Sequence, residues 1–448
     1  MRTAMLALLF CRVVLAQNSQ TSADAAIASL RKQIETNPEN FAAHANLGRL
    51  YCELHRYSEA VPELEKAAAT KPEITSNQIN LGGAYLGIGQ TDRGLAILDK
   101  AVQGYPSAGD LDAVADHLAS HKLKLELAQQ YAESAVGMIA TELRVTDLEH
   151  LTPLVFVRVD ALASFWDTLG WVHFQRGNLD EAGRFLNAAW VLNQHGIAGD
   201  RLGQLYEQLG RRQEAIQAFA GALAAGGPLP DTRSRLAALV GGEDQIEPLV
   251  RRARDELVAM RTFKAGKLLA ERASAEFYVA LAPAPGIPEV KFIRGDEKLR
   301  SSTKVLQAAA LPSVFPDSNA TVLVRRGTLT CPGEGGECVF ELLTATATTK
   351  ADSVVTAPSV IFKVEPKYSK EALKAKLEGT VVLYVEVTPD GLPSNVGVVR
   401  SLGMGLDEKA IEAVEQWKFR PGYRAGKPVT VAATIEVNFR LLKDPKAP

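Results

Sequence analysis

The 448-residue sequence has few aromatic residues and no excess of either charge sign. Aromatic residues make up 6% of the chain, and 50 basic residues face 52 acidic ones, for a formal net charge of -2. A chain without an excess of positive charge does not concentrate on a polyanion, so we expect no nucleic-acid partner. With 46% hydrophobic residues the chain is too apolar to be disordered throughout. Its length predicts two to four domains.

Motifs for known catalytic chemistry are absent from the sequence. It contains no G-x-S-x-G nucleophile motif and no dinucleotide fingerprint, and the glycine-rich segment 331–338 lacks the lysine of a phosphate loop. His117 and His121 are spaced to share a helix face, but no glutamate follows His117 and the sequence indicates no third ligand. We therefore expect no enzyme activity, no cofactor and no metal site.

Long hydrophobic runs are lacking too. The N-terminal apolar stretch, residues 3–16, is interrupted by Arg12 and is shorter than the roughly 20 residues that a membrane-spanning helix needs. Arg2, the apolar stretch and the small residues at its end form the pattern of a signal peptide with cleavage after Ala16. We predict that residues 1–16 are a signal peptide and that the protein is periplasmic. Membrane association is expected only if this segment stays uncleaved.

Cysteine is scarce, and two of the four cysteines are placed to pair. Cys11 lies in the predicted signal peptide, and Cys52 lies on an apolar helical face where a small buried thiol is the ordinary reading. Cys331 and Cys338 flank a turn that contains proline and glycine, between two strand-like runs. In an oxidising periplasm we predict a disulfide between them. Without further ligands this pair cannot complete a zinc site.

A repeat with a period of 34 residues is present in the N-terminal part. Pro38, Pro72 and Pro106 are each 34 residues apart, which is the period of the tetratricopeptide repeat. The small residues between these prolines permit two helices to approach closely, larger ones fill the seam, and proline ends the second helix. The segments resemble this family at Leu47, Gly48, Tyr51, Ala60, Leu64 and Ala67, then at Leu81, Gly82, Tyr85, Gly94, Leu98 and Ala101.

Further units of the same family follow. We predict tetratricopeptide repeats over 24–106, a divergent helical segment over 107–162, and further repeats with capping helices over 163–272. Stacked repeats form a groove suited to a peptide or a helix, so we expect proteins or peptides as partners. The later units carry Trp166, Leu169, Gly170, Ala182, Leu186 and Ala189, then Leu202, Gly203, Tyr206, Ala215, Phe219 and Ala222.

Short strand-like runs replace the helical pattern from Ala275. The runs AEFYVALA, EVKFIRG, TVLVRRGTLT and ECVFELLTA are separated by turns with proline and glycine. We predict a small β-rich middle domain over 275–345 of unassigned function. A linker rich in threonine and alanine is predicted over 346–357.

The segment 358–442 carries the most specific pattern in the chain. Its residues Pro366, Tyr368, Glu378, Gly379, Val382, Val387, Asp390, Gly391, Ser401, Leu406, Asp407, Ala410, Ala413, Trp417, Phe419, Pro421, Gly426, Pro428 and Phe439 match one family. On these residues the segment resembles the TonB C-terminal domain, although Ser369 stands where the family has proline. We therefore expect a multidomain chain: an all-α repeat solenoid, a small β-rich domain and an α+β TonB C-terminal-like domain.

The residues of this segment predict an α+β arrangement by themselves. Ser369 is a good cap for a helix through about Lys376, and an alternating strand begins at Gly379. The turn at 389–391 reverses the chain, and Asp407 is predicted to cap a second helix. The residues of that helix that share one face are Ala410, Val414 and Trp417. Three antiparallel strands with helices on one side are expected.

An open sheet has free edges, and a free edge can pair with an extended peptide. The resemblance implies that the last strand region contacts a short segment of an outer-membrane receptor. The alternative is an edge with a purely structural role. The predicted peptide-binding edge consists of Val429, Val431, Ala433, Ile435 and Val437.

Two functions follow from these modules. The first is a periplasmic interaction or adaptor protein, whose repeats hold one partner while the TonB-like module binds outer-membrane receptor segments by strand addition. The alternative is a TonB-type energy transducer for outer-membrane transport, which would use an uncleaved N-terminal anchor and contact inner-membrane motor proteins. The short apolar stretch and the lack of a long proline-rich spacer favour the first.

Overall fold

The computed structural model describes residues 23–72, 74–104, 106–143, 148, 151, 154–281, 289–307, 315–316, 322–343, 358–424, 427–429 and 431–441. The predicted signal peptide and the predicted linker lie outside these residues. The chain divides into two compact units, Met1–Gly104 and Tyr105–Pro448, and each is described by itself.

The first unit is helical throughout its described part. Its helices are α1 (23–36), α2 (Phe41–Glu53), α3 (Tyr57–Thr70), α4 (Thr75–Gly87) and α5 (Thr91–Ala101). Helix α2 packs on α3, and α4 packs on α5. A Cβ atom at Gly48 would lie 2.5 Å from Leu64 Cγ, and one at Gly82 would lie 2.7 Å from Leu98 Cδ2. This close approach needs glycine, which confirms the predicted role of the small residues.

The second unit begins with eight described helices. They are α6 (Ala108–Ser120), α7 (Leu125–Leu143), α8 (Leu154–Gln175), α9 (Leu179–Asn193), α10 (Gly196–Gln208), α11 (Arg212–Ala225), α12 (Thr232–Val240) and α13 (Ile246–Ala259). The pairs α8–α9 and α10–α11 repeat the packing of the first unit, since a Cβ atom at Gly203 would lie 2.4 Å from Phe219 Cε1. No helix in the described part of the chain is long and apolar enough to cross a membrane.

A five-stranded antiparallel sheet follows α13. Its strands are β1 (Thr262–Gly266), β2 (Arg272–Leu281), β3 (Glu289–Gly295), β4 (Leu323–Pro332) and β5 (Cys338–Leu342), in the order β1-β5-β4-β2-β3. Between β3 and β4 lie a 3-10 turn (Glu297–Ser302) and the short helix α14 (Thr303–Gln307). The prediction of helix through about Arg272 was wrong, because α13 ends at Ala259 and β1 pairs with β5, which places Phe263 opposite Phe340.

The predicted disulfide is present at the tip of the hairpin formed by β4 and β5. It joins Cys331 to Cys338, and both cysteines are fully buried. Gly333 and Gly335 in the turn between them have φ values of +86° and +69°, a conformation that glycine adopts readily. The hairpin therefore brings the two thiols together as the sequence predicted.

The C-terminal domain contains one sheet and two small ribbons. Its elements are β6 (Ser359–Phe362), α15 (Lys370–Ala375), β7 (Gly379–Val387), β8 (Pro393–Arg400), α16 (Leu406–Val414), β9 (Lys418–Arg420), β10 (Gly422–Arg424), β11 (Lys427–Val429) and β12 (Val431–Phe439). The sheet has the order β12-β7-β8, while β6 pairs with β9 and β10 pairs with β11. All these pairs are antiparallel.

The core of this domain lies between the three-stranded sheet and its helices. Alternate residues of β7, including Leu383 and Val385, are fully buried in one cluster with Ala410 of α16. Trp417 and Phe419 belong to the same cluster, and the Trp417 indole N–H donates to the carbonyl of Val364 at 2.8 Å. Trp417 lies beyond the end of α16 and not on that helix as expected, because the helix ends at Val414. The aromatic side chains therefore hold the sheet and the segment after β6 together.

The two helices of this domain begin differently. Ser369 caps α15 as predicted, since its hydroxyl accepts a hydrogen bond from the Ala372 N–H at 3.0 Å. Asp407 does not cap α16, because the helix begins at Leu406 after Gly405, which has a φ of +75°. The Asp407 carboxylate instead accepts hydrogen bonds from backbone N–H groups of the preceding loop. It stabilises that loop as well as the positive end of the helix.

Two glycines of this domain permit a matched test of its packing. Gly391 and Gly403 have nearly equal φ values of +76° and +79°, so alanine costs about 1 kcal/mol of backbone strain at either position. A Cβ atom at Gly391 would also lie 2.1 Å from the Phe419 carbonyl oxygen, whereas one at Gly403 has open space. We expect Gly391→Ala to speed hydrogen exchange in β7 and β8 well beyond Gly403→Ala, measured by mass spectrometry on the whole chain. Equal exchange would contradict the contact.

Candidate functional site

Strand β12 lies at one edge of the three-stranded sheet. It pairs with β7 along its whole length, from Val431 opposite Val387 to Phe439 opposite Gly379. In the described part of the chain, no strand pairs with its other side. Along this nine-residue strand, every second residue therefore directs its backbone N–H and carbonyl groups outward. Another extended chain can pair with these groups.

The side chains of β12 divide between the core and the surface. Ile435, Val437 and Phe439 are buried in the core cluster, and Ala433 packs against it. Thr434 and Glu436 point the opposite way and are exposed. Because the apolar side chains are occupied by the core, a bound peptide would meet the backbone edge and these two polar side chains.

The predicted peptide-binding residues do not all lie on one strand. Val431, Ala433, Ile435 and Val437 belong to β12, but Val429 belongs to β11, where it pairs with Gly422 in a separate two-stranded ribbon. A chain that paired with β12 would therefore not extend its ladder to Val429.

A buried charged cluster joins three helices of the second unit. The guanidinium of Arg201 on α10 donates to Asp167 on α8 at 2.7 Å and to Asp116 on α6. Its central carbon lies 5.1 Å from the ring centre of Trp171, which adds a cation–π contact. These are the first helices of the successive pairs α6–α7, α8–α9 and α10–α11, so the cluster connects neighbouring helix pairs.

Burial controls the ionisation of this cluster. Burial raises the pKa of Asp167 to about 6, opposed by the charge of Arg201. Burial likewise raises the pKa of Asp112, opposed by its hydrogen bond to Thr168. The charges of Asp116 and Asp167 outweigh burial and raise the pKa of Arg201, which stays protonated. The cluster thus depends on one arginine that balances several carboxylates.

Sequence reasoning did not identify this cluster. Its members are 34 and 85 residues from Arg201, and none lies in a motif with a known chemical role. The residue Asp167 follows Trp166, a repeat position, and Arg201 precedes Leu202, another one. A signal was therefore present only in the register of the repeats.

The two histidines rejected as ligands lie at the end of α6. His121 follows the last residue of the helix, and its Nδ1 atom is 2.9 Å from the carbonyl oxygen of His117. Burial lowers the pKa of His117. Within the described ranges, no group of three or more histidine, cysteine or acidic residues is arranged to hold a metal ion.

The chain matches two protein families. Residues 364–441 match the family described as the C-terminal region of the Gram-negative bacterial TonB protein, and residues 19–73 and 200–232 match tetratricopeptide repeats. The first match contains the three-stranded sheet to which β12 belongs, and the other two lie on helices of the paired repeats. The chain therefore carries tetratricopeptide repeats followed by a TonB C-terminal domain.

Curated relatives match the C-terminal part alone. Protein tonB2 of Pseudomonas aeruginosa is 36% identical over 77 residues, which are 17% of this chain and 28% of that protein. Protein TonB of Klebsiella pneumoniae is 33% identical over 101 residues, which are 22% of this chain and 40% of that protein. The chain thus spans less than half the length of these relatives.

Solved structures match about half of this chain at low similarity. The Pseudomonas aeruginosa protein pilF is 17% identical, covers 49% of this chain and 96% of its own, and has a TM-score of 0.30. A Thermus thermophilus tetratricopeptide repeat protein is 20% identical, covers 51% of this chain and 96% of its own, and has a TM-score of 0.27.

Replacing Arg201 tests the charged cluster. Arg201→Met leaves the aspartates without their buried counter-charge, so we expect a loss of about 3–5 kcal/mol in the stability of the helices that it joins. Hydrogen exchange at α6, α8 and α10 measures this loss. Arg252→Met is the matched control, since Arg252 forms an exposed i,i+4 ion pair with Glu256, and we expect no measurable change there.

The pH dependence of this variant has a definite sign. A carboxyl group whose pKa is raised in the folded state favours folding at low pH, and this contribution is lost as the pH rises through about 6 for Asp167. The loss of stability caused by Arg201→Met should therefore be smaller at pH 5 than at pH 8. A deficit that is equal at both pH values, or absent, would show that the carboxylates do not depend on Arg201.

Proposed function

We propose that this protein is a periplasmic adaptor that holds one protein in its repeats and pairs strand β12 with an extended segment of an outer-membrane receptor. The observation that carries the proposal is the open edge of β12 in a TonB C-terminal domain. Tetratricopeptide repeats and TonB C-terminal domains are non-enzymatic scaffolds, and this supports a role in binding.

The geometry of β12 supports recognition through the backbone. Its partner strand β7 fills one side, and the core fills one face, so the outer edge is the surface that an extended peptide can use. Thr434 and Glu436 then contribute contacts with alternate side chains of the peptide. Affinity would come from main-chain hydrogen bonds, and selectivity from these two positions.

The repeats support a second binding event. The helix pairs α2–α3, α4–α5, α8–α9 and α10–α11 bury their glycine and leucine or phenylalanine contacts internally, which leaves the remaining helix faces for a partner. Two binding modules on one chain bring their partners together and raise the effective concentration of one near the other. This is the physical role that we propose for the adaptor.

Energy transduction is the second candidate, and the resemblance to proteins named TonB favours it. It requires that residues 1–16 remain as a membrane anchor. The mass of the protein isolated from its native host and its partition between soluble and membrane fractions distinguish the two candidates. For the adaptor we expect a product that begins at Gln17 in the soluble fraction, and a full-length membrane-bound product would favour transduction.

Strand addition is tested by placing a photo-crosslinking residue at Thr434 in the native host. We expect adducts with an outer-membrane receptor, identified by mass spectrometry. The same residue at Glu408, an exposed position on α16, is the matched control and should give none. Adducts at both positions, or at neither, would contradict recognition at this edge.

Proline substitutions show whether the backbone makes the contact. Consecutive N–H groups of a strand point to opposite sides, so of Ala433 and Thr434 one donates towards β7 and the other faces the open edge. Ala433→Pro and Thr434→Pro therefore divide into one variant that disturbs the sheet and one that removes an outward donor. With the crosslinker moved to Glu436, the variant that keeps native hydrogen exchange in β7 should lose its adducts. Unchanged adducts in that variant would exclude backbone pairing.

A further inference from the structure

Strand β6 exposes large apolar side chains instead of burying them. All four residues of Ser359–Phe362 are exposed. The exposed fractions are 46% for Val360, 63% for Ile361 and 52% for Phe362. By contrast, alternate residues of β7 are fully buried. Three consecutive apolar residues left in contact with water indicate an interaction surface and not a part of the core.

Cations surround this apolar strand. Strand β6 pairs with β9, which places Ser359 opposite Arg420 and Phe362 opposite Lys418. Lys363 follows directly, and all three cations are exposed. Residues 359–363 and 418–420 thus contain three positive charges and no carboxylate. A neighbouring carboxylate, that of Glu365, lies 2.9 Å from the ammonium group of Lys363 and offsets part of this charge.

The size and chemistry of this ribbon decide between possible partners. Three side chains on a four-residue strand fall far short of the roughly 800 Å² per partner that a stable protein interface buries. A lipid surface has no such requirement, because apolar side chains insert individually while cations attract the anionic headgroups. The backbone of β6 can keep its hydrogen bonds to water and headgroups if only the side chains enter the acyl boundary.

We propose that the ribbon formed by β6 and β9 docks the C-terminal domain on the surface of an anionic phospholipid bilayer. Val360, Ile361 and Phe362 insert at the level of the headgroups, and Lys363, Lys418 and Arg420 contact the lipid phosphates. The ribbon and β12 belong to different hydrogen-bonded sheets, so the residues proposed to contact lipid are not those proposed to pair with a peptide. The inference does not depend on strand addition or on the role of the repeats.

The test uses the chain from Gln17 to Pro448, so that the predicted signal peptide cannot contribute. Its binding is measured by co-sedimentation with vesicles of phosphatidylglycerol and phosphatidylethanolamine, and with vesicles of phosphatidylcholine alone. We expect binding to the anionic vesicles, weak binding to the neutral ones, and loss of binding as the salt concentration rises.

Two variants and their controls assign the binding to the ribbon. Lys418→Glu with Arg420→Glu should weaken binding at least about tenfold, since each cation near an anionic surface contributes about fivefold. Arg251→Glu with Arg254→Glu makes the same change in net charge on α13 and should bind like the parent chain. Ile361→Ser with Phe362→Ser should weaken binding about tenfold or more. Leu392→Ser, at an exposed fraction of 51% in the same domain, should not.

Several results would overturn the proposal. One is a parent chain that does not bind the anionic vesicles, and another is equal binding by the ribbon variants and their controls. A third is self-association of the parent, measured by analytical ultracentrifugation, that the Ile361→Ser and Phe362→Ser changes abolish while vesicle binding is absent. That result would assign the ribbon to a contact between copies of the chain.

Discussion

The pairing of β12 with β7 determines what the C-terminal domain can offer a partner. Along nine residues the two strands hold each other in register, and this register turns Ile435, Val437 and Phe439 towards the helices. A slip by one residue would expose all of them and bury Thr434 and Glu436. Because the core requires this register, the outer backbone of β12 remains the surface for recognition, and the apolar side chains that mark the strand in the sequence are not themselves the contact.

The repeats depend on a different constraint, the close approach of paired helices. Gly48, Gly82, Gly170 and Gly203 each face a leucine or phenylalanine at a distance where no Cβ atom fits. These contacts lie within single units and recur with the chain period, which is why the sequence alone predicted them. The cluster at Arg201 is of a different kind, since it joins α6, α8 and α10 through charged side chains that belong to no repeat motif.

The same distinction explains the other successes and errors of prediction. Ser369 acts on an N–H three residues away, and Cys331 and Cys338 flank one turn, so both were predictable from local sequence. Strand β1 is a strand because β5 pairs with it, and no local feature separates Thr262 from the helical pattern that precedes it. Asp407 was assigned the wrong role because Gly405 can adopt a positive φ and starts the helix earlier. Exposure of Val360, Ile361 and Phe362 was equally unpredictable, since apolar strands are ordinarily buried.

Net charge is a poor guide to such local surfaces. The whole chain has a formal charge of -2, which gives no reason to expect attraction to any anion. In salt solution, however, a charge acts over about 10 Å, so a bound surface responds to the residues beside it and not to the sum over the chain. At the ribbon those residues are Lys363, Lys418 and Arg420, with exposed apolar side chains between them. A chain with nearly balanced charge can therefore present a cationic, apolar face on one small part of its surface, formed by strands other than β12.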